Sequence, residues 1–250
     1  MVYRLAMLAA LSTATSAFAG DAMPDGFVYL RDVDPTIEQD MRYAGPNNFT
    51  GKSVDGYVAA ECVLARQAAE ALKTVQADVK GNGLMLKVYD CYRPSRAVAA
   101  FVAWSNLPDD PQSKGMWYPN LTKGDLFPGY IATRSGHSRG ATLDLTLVPI
   151  DNSAPPAGDA KPQSCTAAQK GHAPDGSVAM GTSFDCFDVK ANTAAPGLSS
   201  EERANRDLLV AAMQARGFKN YPKEWWHFTL EPEPYPHTYF DFPIAARPAD

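Results

Sequence analysis

Apolar residues recur at helical spacing from position 58 to 79: Val58, Cys62, Leu64, Ala65, Ala68, Ala69, Leu72 and Val75, with Gly81 behind them as a stop. This pattern predicts a helix. Leu84 to Tyr89 is short, apolar and β-prone, and predicts a strand; Asp90-Cys91-Tyr92-Arg93-Pro94 predicts a turn, and Ser95 to Trp104 a second helix. A stretch rich in Pro, Gly and Asp follows and is expected to be loop. Ala141 to Val148 then alternates as a strand does. Ser199-Ser200-Glu201-Glu202 has the form of a capping box, and Leu208, Leu209, Ala212 and Met213 carry its helix toward Gly217. Tyr221 to Leu230 predicts an aromatic-rich strand and loop. Helices and strands come in unequal runs and no repeat or linker interrupts them. The expected fold is therefore α+β, one domain with a central antiparallel sheet flanked by helices.

Two segments stand apart from this pattern. Residues 1–19 combine Arg4, a short apolar core from Leu5 to Leu11 and the small-x-small ending Ala17-Phe18-Ala19, which is the form of a signal peptide. The mature domain is then 20–250, exported and, in a bacterium with two membranes, periplasmic. No later apolar run is long enough for a membrane span. Residues 151–176 are rich in Pro, Ala and Gly with little periodicity, and are expected to form an insertion or long surface loop.

Composition narrows the function. Twenty-three Lys and Arg against 28 Asp and Glu give a net charge of −5, and no basic run is present, which disfavours nucleic acid as a partner. Export changes the meaning of the four cysteines, Cys62, Cys91, Cys165 and Cys186. None are spaced as C-x₂-C, so disulfides are favoured over a thiolate metal site, with Cys62–Cys91 and Cys165–Cys186 preferred because each pair lies within one local segment.

Of the four histidines, His137 and His227 sit in dense polar surroundings: Ser135-Gly136-His137-Ser138-Arg139-Gly140-Ala141-Thr142-Leu143-Asp144 and Glu224-Trp225-Trp226-His227-Phe228. A hydrolytic zinc takes three ligands from His and carboxylate and keeps one position open for water. His137, Asp144 and His227 would supply them, and a carboxylate that does not bind the metal, Glu224, would take the water's proton. Spacing leaves this open. Positions 137 and 144, like 224 and 227, differ by odd numbers, so a flat strand would put them on opposite faces and a turn or bulge must intervene. The same stretch also matches G-x-S-x-G, with Ser138 as a serine nucleophile and Asp185 or Asp188 and His227 completing a triad. The flanking sequence disfavours that alternative: an elbow needs an apolar strand before the serine and a helix after it, whereas Ala132-Thr133-Arg134-Ser135 precedes and a strand-like run follows.

Five motifs in order carry a resemblance. They are Asp40-Met41-Arg42-Tyr43-Ala44 with Asn47-Asn48-Phe49-Thr50-Gly51; Tyr89-Asp90-Cys91-Tyr92-Arg93-Pro94; the His137 segment with Asp144; Met180-Gly181 with Phe184-Asp185; and Glu224-Trp225-Trp226-His227-Phe228. Together they resemble the zinc D-Ala-D-Ala dipeptidases of the vancomycin-resistance type, relatives of D,D-carboxypeptidases and hedgehog amino-terminal domains. The resemblance implies one Zn²⁺ on His137, Asp144 and His227, Glu224 as base and proton shuttle, and Arg93 as stabiliser of the oxyanion. It further implies that Ser135 and Asp185 hold the substrate's ammonium, that Tyr43 lines the pocket, and that D-Ala-D-Ala is cleaved to two D-Ala. A carboxypeptidase or endopeptidase acting on peptidoglycan stems is the alternative within the class. Two features depart from the resistance enzymes, which work in the cytoplasm: the export signal and the Cys-bearing insertion around 151–186. Turnover or scavenging of cell-wall dipeptide is the role these departures favour.

Overall fold

The computed structural model describes residues 22–151, 163–169 and 173–248. The expected signal peptide and much of the expected insertion lie outside the described residues. The elements, in chain order, are β1 (Phe27–Tyr29), α1 (Leu30–Val33), β2 (Glu38–Gln39), β3 (Val63–Ala65), α2 (Arg66–Lys80), β4 (Leu84–Asp90), α3 (Ser95–Ser105), α4 (Pro111–Trp117), β5 (Thr142–Pro149), α5 (Ser200–Gln214), β6 (Phe218–Asn220) and β7 (His227–Leu230). One five-stranded sheet has the order β2-β4-β5-β7-β6, and β1 pairs with β3 in a separate ribbon. The pairings of β4, β5, β7 and β6 are antiparallel as expected; the edge strand β2 runs parallel to β4, which alternation could not reveal.

The two faces of the sheet have different chemistry. Cross-strand partners share a face, so Leu86 opposite Leu147, Val88 opposite Leu145, and Leu143 opposite Phe228 form one apolar layer. Helix α2 covers this layer through Ala68, Ala69, Leu72, Val75 and Val79, spaced three and four apart, and α5 packs beside it. The opposite face carries Lys87, Thr146, Thr142, Asp144 and His227. A register shift between Val88 and Asp90 sets Asp90 opposite Asp144, on that polar face. Without the bulge, strict alternation would turn Asp90 toward α2.

The first predicted helix begins too early. Residues 58–65 are not helical: Val58 is 74 % exposed, while Cys62, Val63, Leu64 and Ala65 are all buried in succession. Continuous burial suits a strand covered on both faces, and Val63–Ala65 pairs with Phe27–Tyr29. The Ala65 amide donates to Gly140 O and the Tyr92 amide to Val63 O, so β3 is stitched to the site-bearing turns. Helix α4 was hidden inside the stretch expected to be loop. Its start signal is nonetheless present, since Asp110 accepts from the Ser113 amide and Pro111 occupies the first turn. The strands β4 and β5 and the helix α3 form within a residue of their predicted ends; α5 starts at a complete Ser199–Glu202 capping box but stops at Gln214, short of the expected Gly217.

Both expected disulfides are present, Cys62–Cys91 and Cys165–Cys186. The second fastens the middle of the 151–176 segment, at Cys165, to the loop that follows it. Asp175 adds a further tether. Its carboxylate accepts from Arg42 Nη2 at 2.9 Å and from the Tyr89 hydroxyl at 2.5 Å, while its carbonyl accepts from Lys87 Nζ. Tyr89 in turn stacks on Phe184, one residue before Asp185.

Burial works against the Asp175 carboxylate, but the Arg42 charge and the Tyr89 and Ser177 hydrogen bonds outweigh it and hold the carboxyl below its ordinary range. A lowered folded pKa gives stability that is complete above the unfolded value of about 3.9 and is lost as pH falls through the folded value. Asp175→Asn, which weakens charge-assisted hydrogen bonds to a partly exposed carboxylate, is expected to cost about 2 kcal/mol at pH 7. In urea unfolding, the gap between wild type and variant should narrow steadily below about pH 4.

Candidate active site

Two neighbouring strands and two turns build the site. Asp144 on β5 and His227 at the start of β7 are direct cross-strand partners. His137 comes from the 3₁₀ turn Gly136–Arg139 just ahead of β5, which ends at Gly140 with φ 80°. A side chain at Gly140 would collide with the Phe27 ring as well as strain the backbone. Glu224 lies on a second turn, closed by the hydrogen bonds of the Glu224 amide to Tyr221 O and of the His227 amide to Glu224 O. The odd spacings are thereby reconciled: in each pair only one member is on a strand.

Three atoms converge. His137 Nε2, His227 Nδ1 and Asp144 Oδ1 are separated by 3.3, 3.4 and 3.0 Å, and Asp144 Oδ1 is buried with no hydrogen-bond partner. Ligands about 2.0–2.1 Å from a tetrahedral zinc would be roughly 3.3 Å from one another. The group fits a metal ion in both size and chemistry. The tautomer fits as well. His137 Nδ1 lies 2.8 Å from Cys91 O, which can only accept, so the ring proton sits on Nδ1 and Nε2 presents its lone pair to the other two atoms. Burial together with the nearby Arg93 charge lowers the His137 pKa, which favours the neutral, ligating imidazole.

Around this tripod the pocket is rich in acid. Its cavity, about 280 Å³, is lined by Tyr43, Arg93, Ser135, Asp144, Asp185, Glu224 and His227 among others; His137 lies beneath, 1 % exposed. Glu224 Oε2 lies 3.4 Å from His227 Nδ1, and burial and the Asp144 charge push the Glu224 carboxyl well above its ordinary range. Asp185 is raised in the same way, by burial and then by Asp144, and accepts from the Tyr43 hydroxyl at 2.8 Å. Asp185 adopts φ 57°, a left-handed conformation uncommon outside glycine. Its loop is held from several sides: by the neighbouring Cys186 disulfide, by Trp225 Nε1 donating to Thr182, and by buried Arg206 donating to the carbonyls of Met180, Lys190 and Asn192. Ser135 caps the His137 turn, its hydroxyl accepting from the His137 amide.

Sequence reasoning treated Asp90 as part of a turn. It is fully buried and holds the site together: it accepts from Arg93 Nε at 2.9 Å and from Tyr57 at 2.6 Å, and approaches His137 Nδ1 at 3.4 Å. The signal was its position three residues before Arg93. The guanidinium of Arg93 also lies over the Phe101 and Tyr43 rings, which leaves it little freedom.

The serine-hydrolase constellation does not assemble. Ser138 Oγ is buried with no partner, and Asp188 is engaged by Asn120 and by the Lys190 amide. The family model described as D-Ala-D-Ala dipeptidase matches residues 23–157 and 160–245. The chain belongs to the D-Ala-D-Ala dipeptidase family. Its relatives include proteins named D-alanyl-D-alanine dipeptidase from Streptomyces coelicolor, 40 % identical over 225 residues, and Enterococcus faecium, 38 % identical over 225 residues. Each match covers 89 % of this chain and all of the relative. The protein of that name from Escherichia coli is 32 % identical over 203 residues, 81 % of this chain and 83 % of its own. Membership of this dipeptidase family makes the chain a metallopeptidase, and the His-Asp-His group could hold a metal ion.

Removing Asp90 would take from the largely enclosed Arg93 guanidinium its nearest carboxylate. Asp90→Ala is expected to cost about 3–5 kcal/mol in equilibrium unfolding. Tyr57→Phe, which deletes one hydrogen bond to the same carboxylate, should cost only about 1 kcal/mol.

Proposed function

We propose that this chain is an exported zinc D,D-dipeptidase that hydrolyses D-Ala-D-Ala to two D-Ala in the turnover or scavenging of cell-wall dipeptide. The observation that carries the reading is the tripod of His137 Nε2, His227 Nδ1 and Asp144 Oδ1 with Glu224 beside it. A zinc ion held by those three residues would act as a Lewis acid and bring the acidity of its water toward neutral pH.

The remaining work falls to the chain's own side chains. Glu224 takes the proton of the attacking water and passes it to the leaving amine; its buried position suits a group that must both accept and return a proton. Arg93, planar, permanently charged and fixed by Asp90, faces the negative charge that develops on the carbonyl oxygen. Asp185 and Ser135 hold the ammonium of the substrate, and Tyr43 orients the Asp185 carboxylate through its hydroxyl. Residues 1–19 direct export and are removed, leaving 20–250 to act in the periplasm. The two disulfides support maturation in an oxidising compartment.

Metal analysis of the purified protein combined with assay of D-Ala release tests this reading. Wild type should carry one zinc per chain and lose activity on chelation. Glu224→Ala should retain the metal while turnover falls by about 10²–10⁴. Faster cleavage of a stem pentapeptide than of D-Ala-D-Ala would replace the dipeptidase reading with a carboxypeptidase one.

A further inference from the structure

We infer that Arg134, at the rim of the pocket, receives the free carboxylate of the dipeptide and so makes the enzyme selective for substrates that end one residue beyond the cleaved bond. The inference rests on the dipeptidase reading above and assigns the capture of the free C-terminal carboxylate, the feature that separates cleavage at a chain end from cleavage within a longer peptide.

A dipeptide is a zwitterion whose two charges lie on either side of the cleaved bond. The acidic groups of the pocket, Asp144, Asp185 and Glu224, can serve a cation and the ammonium but can only repel the carboxylate. Something cationic must offset that repulsion. Two arginines line the cavity, Arg93 and Arg134. Arg93 is committed, with two of its nitrogens on Asp90 at 2.8 and 2.9 Å. Arg134 is exposed and, among the described residues, has no acidic partner.

Arg134 is nevertheless positioned. Its guanidinium lies over the Tyr239 ring, 5.2 Å from the centroid. Arg139, on the same ring at 5.4 Å, donates to the Tyr239 hydroxyl and is itself neutralised by Glu233 through two contacts of 2.7 and 2.8 Å. Glu233 thus satisfies the inner arginine, the inner arginine steadies the tyrosine, and the tyrosine provides a shelf for the outer arginine. The result is an exposed, planar, preorganised cation at the mouth of an acidic pocket, suited to a carboxylate. A longer substrate would place a neutral amide where this charge is offered.

The test compares D-Ala-D-Ala with its C-terminal amide, D-alanyl-D-alaninamide, on wild type, Arg134→Gln, Arg134→Lys and Lys223→Gln. For the free acid, Arg134→Gln should raise KM about 10–100-fold while kcat changes little; for the amide it should change neither. Arg134→Lys, which keeps the charge without the fork, should recover part of the loss. Lys223 lies over Tyr130 near the same mouth, so its removal controls for the general field. Calorimetry on Glu224→Ala, with and without Arg134→Gln, should show the same acid-selective loss in binding. Equal loss on acid and amide, no loss on either, or the same selective loss from Lys223→Gln would each overturn the assignment. Release of D-Ala by wild type with an Arg134→Gln variant indistinguishable from it defeats Arg134 alone, whereas no release by wild type defeats the dipeptidase reading and the assignment together.

Discussion

Four buried carboxylates, Asp90, Asp144, Asp185 and Glu224, share one small region with the partly exposed guanidinium of Arg93, and the rest of the structure is arranged around that imbalance. Burying a carboxylate is costly unless a cation or several hydrogen bonds compensate it. Asp90 is compensated within the protein by Arg93 and Tyr57. Asp144 is held well below its ordinary range by two compensating neighbours, the imidazoles of His137 and His227, which outweigh the effect of burial, yet one of its oxygens still lacks a hydrogen bond. Glu224 and Asp185 are pushed upward by burial and by Asp144. A protein that keeps so much uncompensated acid in one pocket has stability invested in what enters it. A charge distribution of this kind favours cationic partners.

The fold bears that cost by fixing the backbone tightly wherever an acid is exposed to the pocket. The bulge between Val88 and Asp90 brings Asp90 to the polar face; the left-handed Gly140 closes the His137 turn; Asp185 sits on a loop bound to α5, to Trp225 and to a disulfide. Each device is local, but all depend on the continuous apolar layer under the sheet, where Leu143, Leu145 and Leu147 alternate with the residues that face the site. One strand therefore serves both purposes. The odd residues of β5 anchor it to the helices, and Asp144 between them is presented to the pocket.

The same alternation explains how much was legible in advance. β4, β5 and α5 carry strong periodicities or a capping box, and their sequences specify them. The segment 58–65 misled because a strand buried on both sides has no polar phase, and its apolar residues merged with the stripe of α2. α4 was obscured by the Pro and Gly around it. In the site, residue types announced the chemistry of His137, Asp144, His227 and Glu224, but their convergence depends on turns and cross-strand register, which spacing alone leaves open. Asp90 was overlooked for a related reason: a bulge decides which way it points, and nothing in Tyr89-Asp90-Cys91 marks where the register slips.

The cross-links bear on the same residues. Cys91 contributes the carbonyl that fixes the His137 tautomer, and its side chain is tied to Cys62 at the end of the β1–β3 ribbon; Cys186 is tied to Cys165 immediately after Asp185. One disulfide thus stands behind a residue of the metal-fitting group and the other behind the carboxylate proposed to hold the ammonium. Both positions place backbone, rather than side chain, where precision matters, and a covalent tie limits backbone motion without adding charge to a pocket that already has an excess of it. In an oxidising compartment, where disulfides persist, such ties keep an acid-rich site in register.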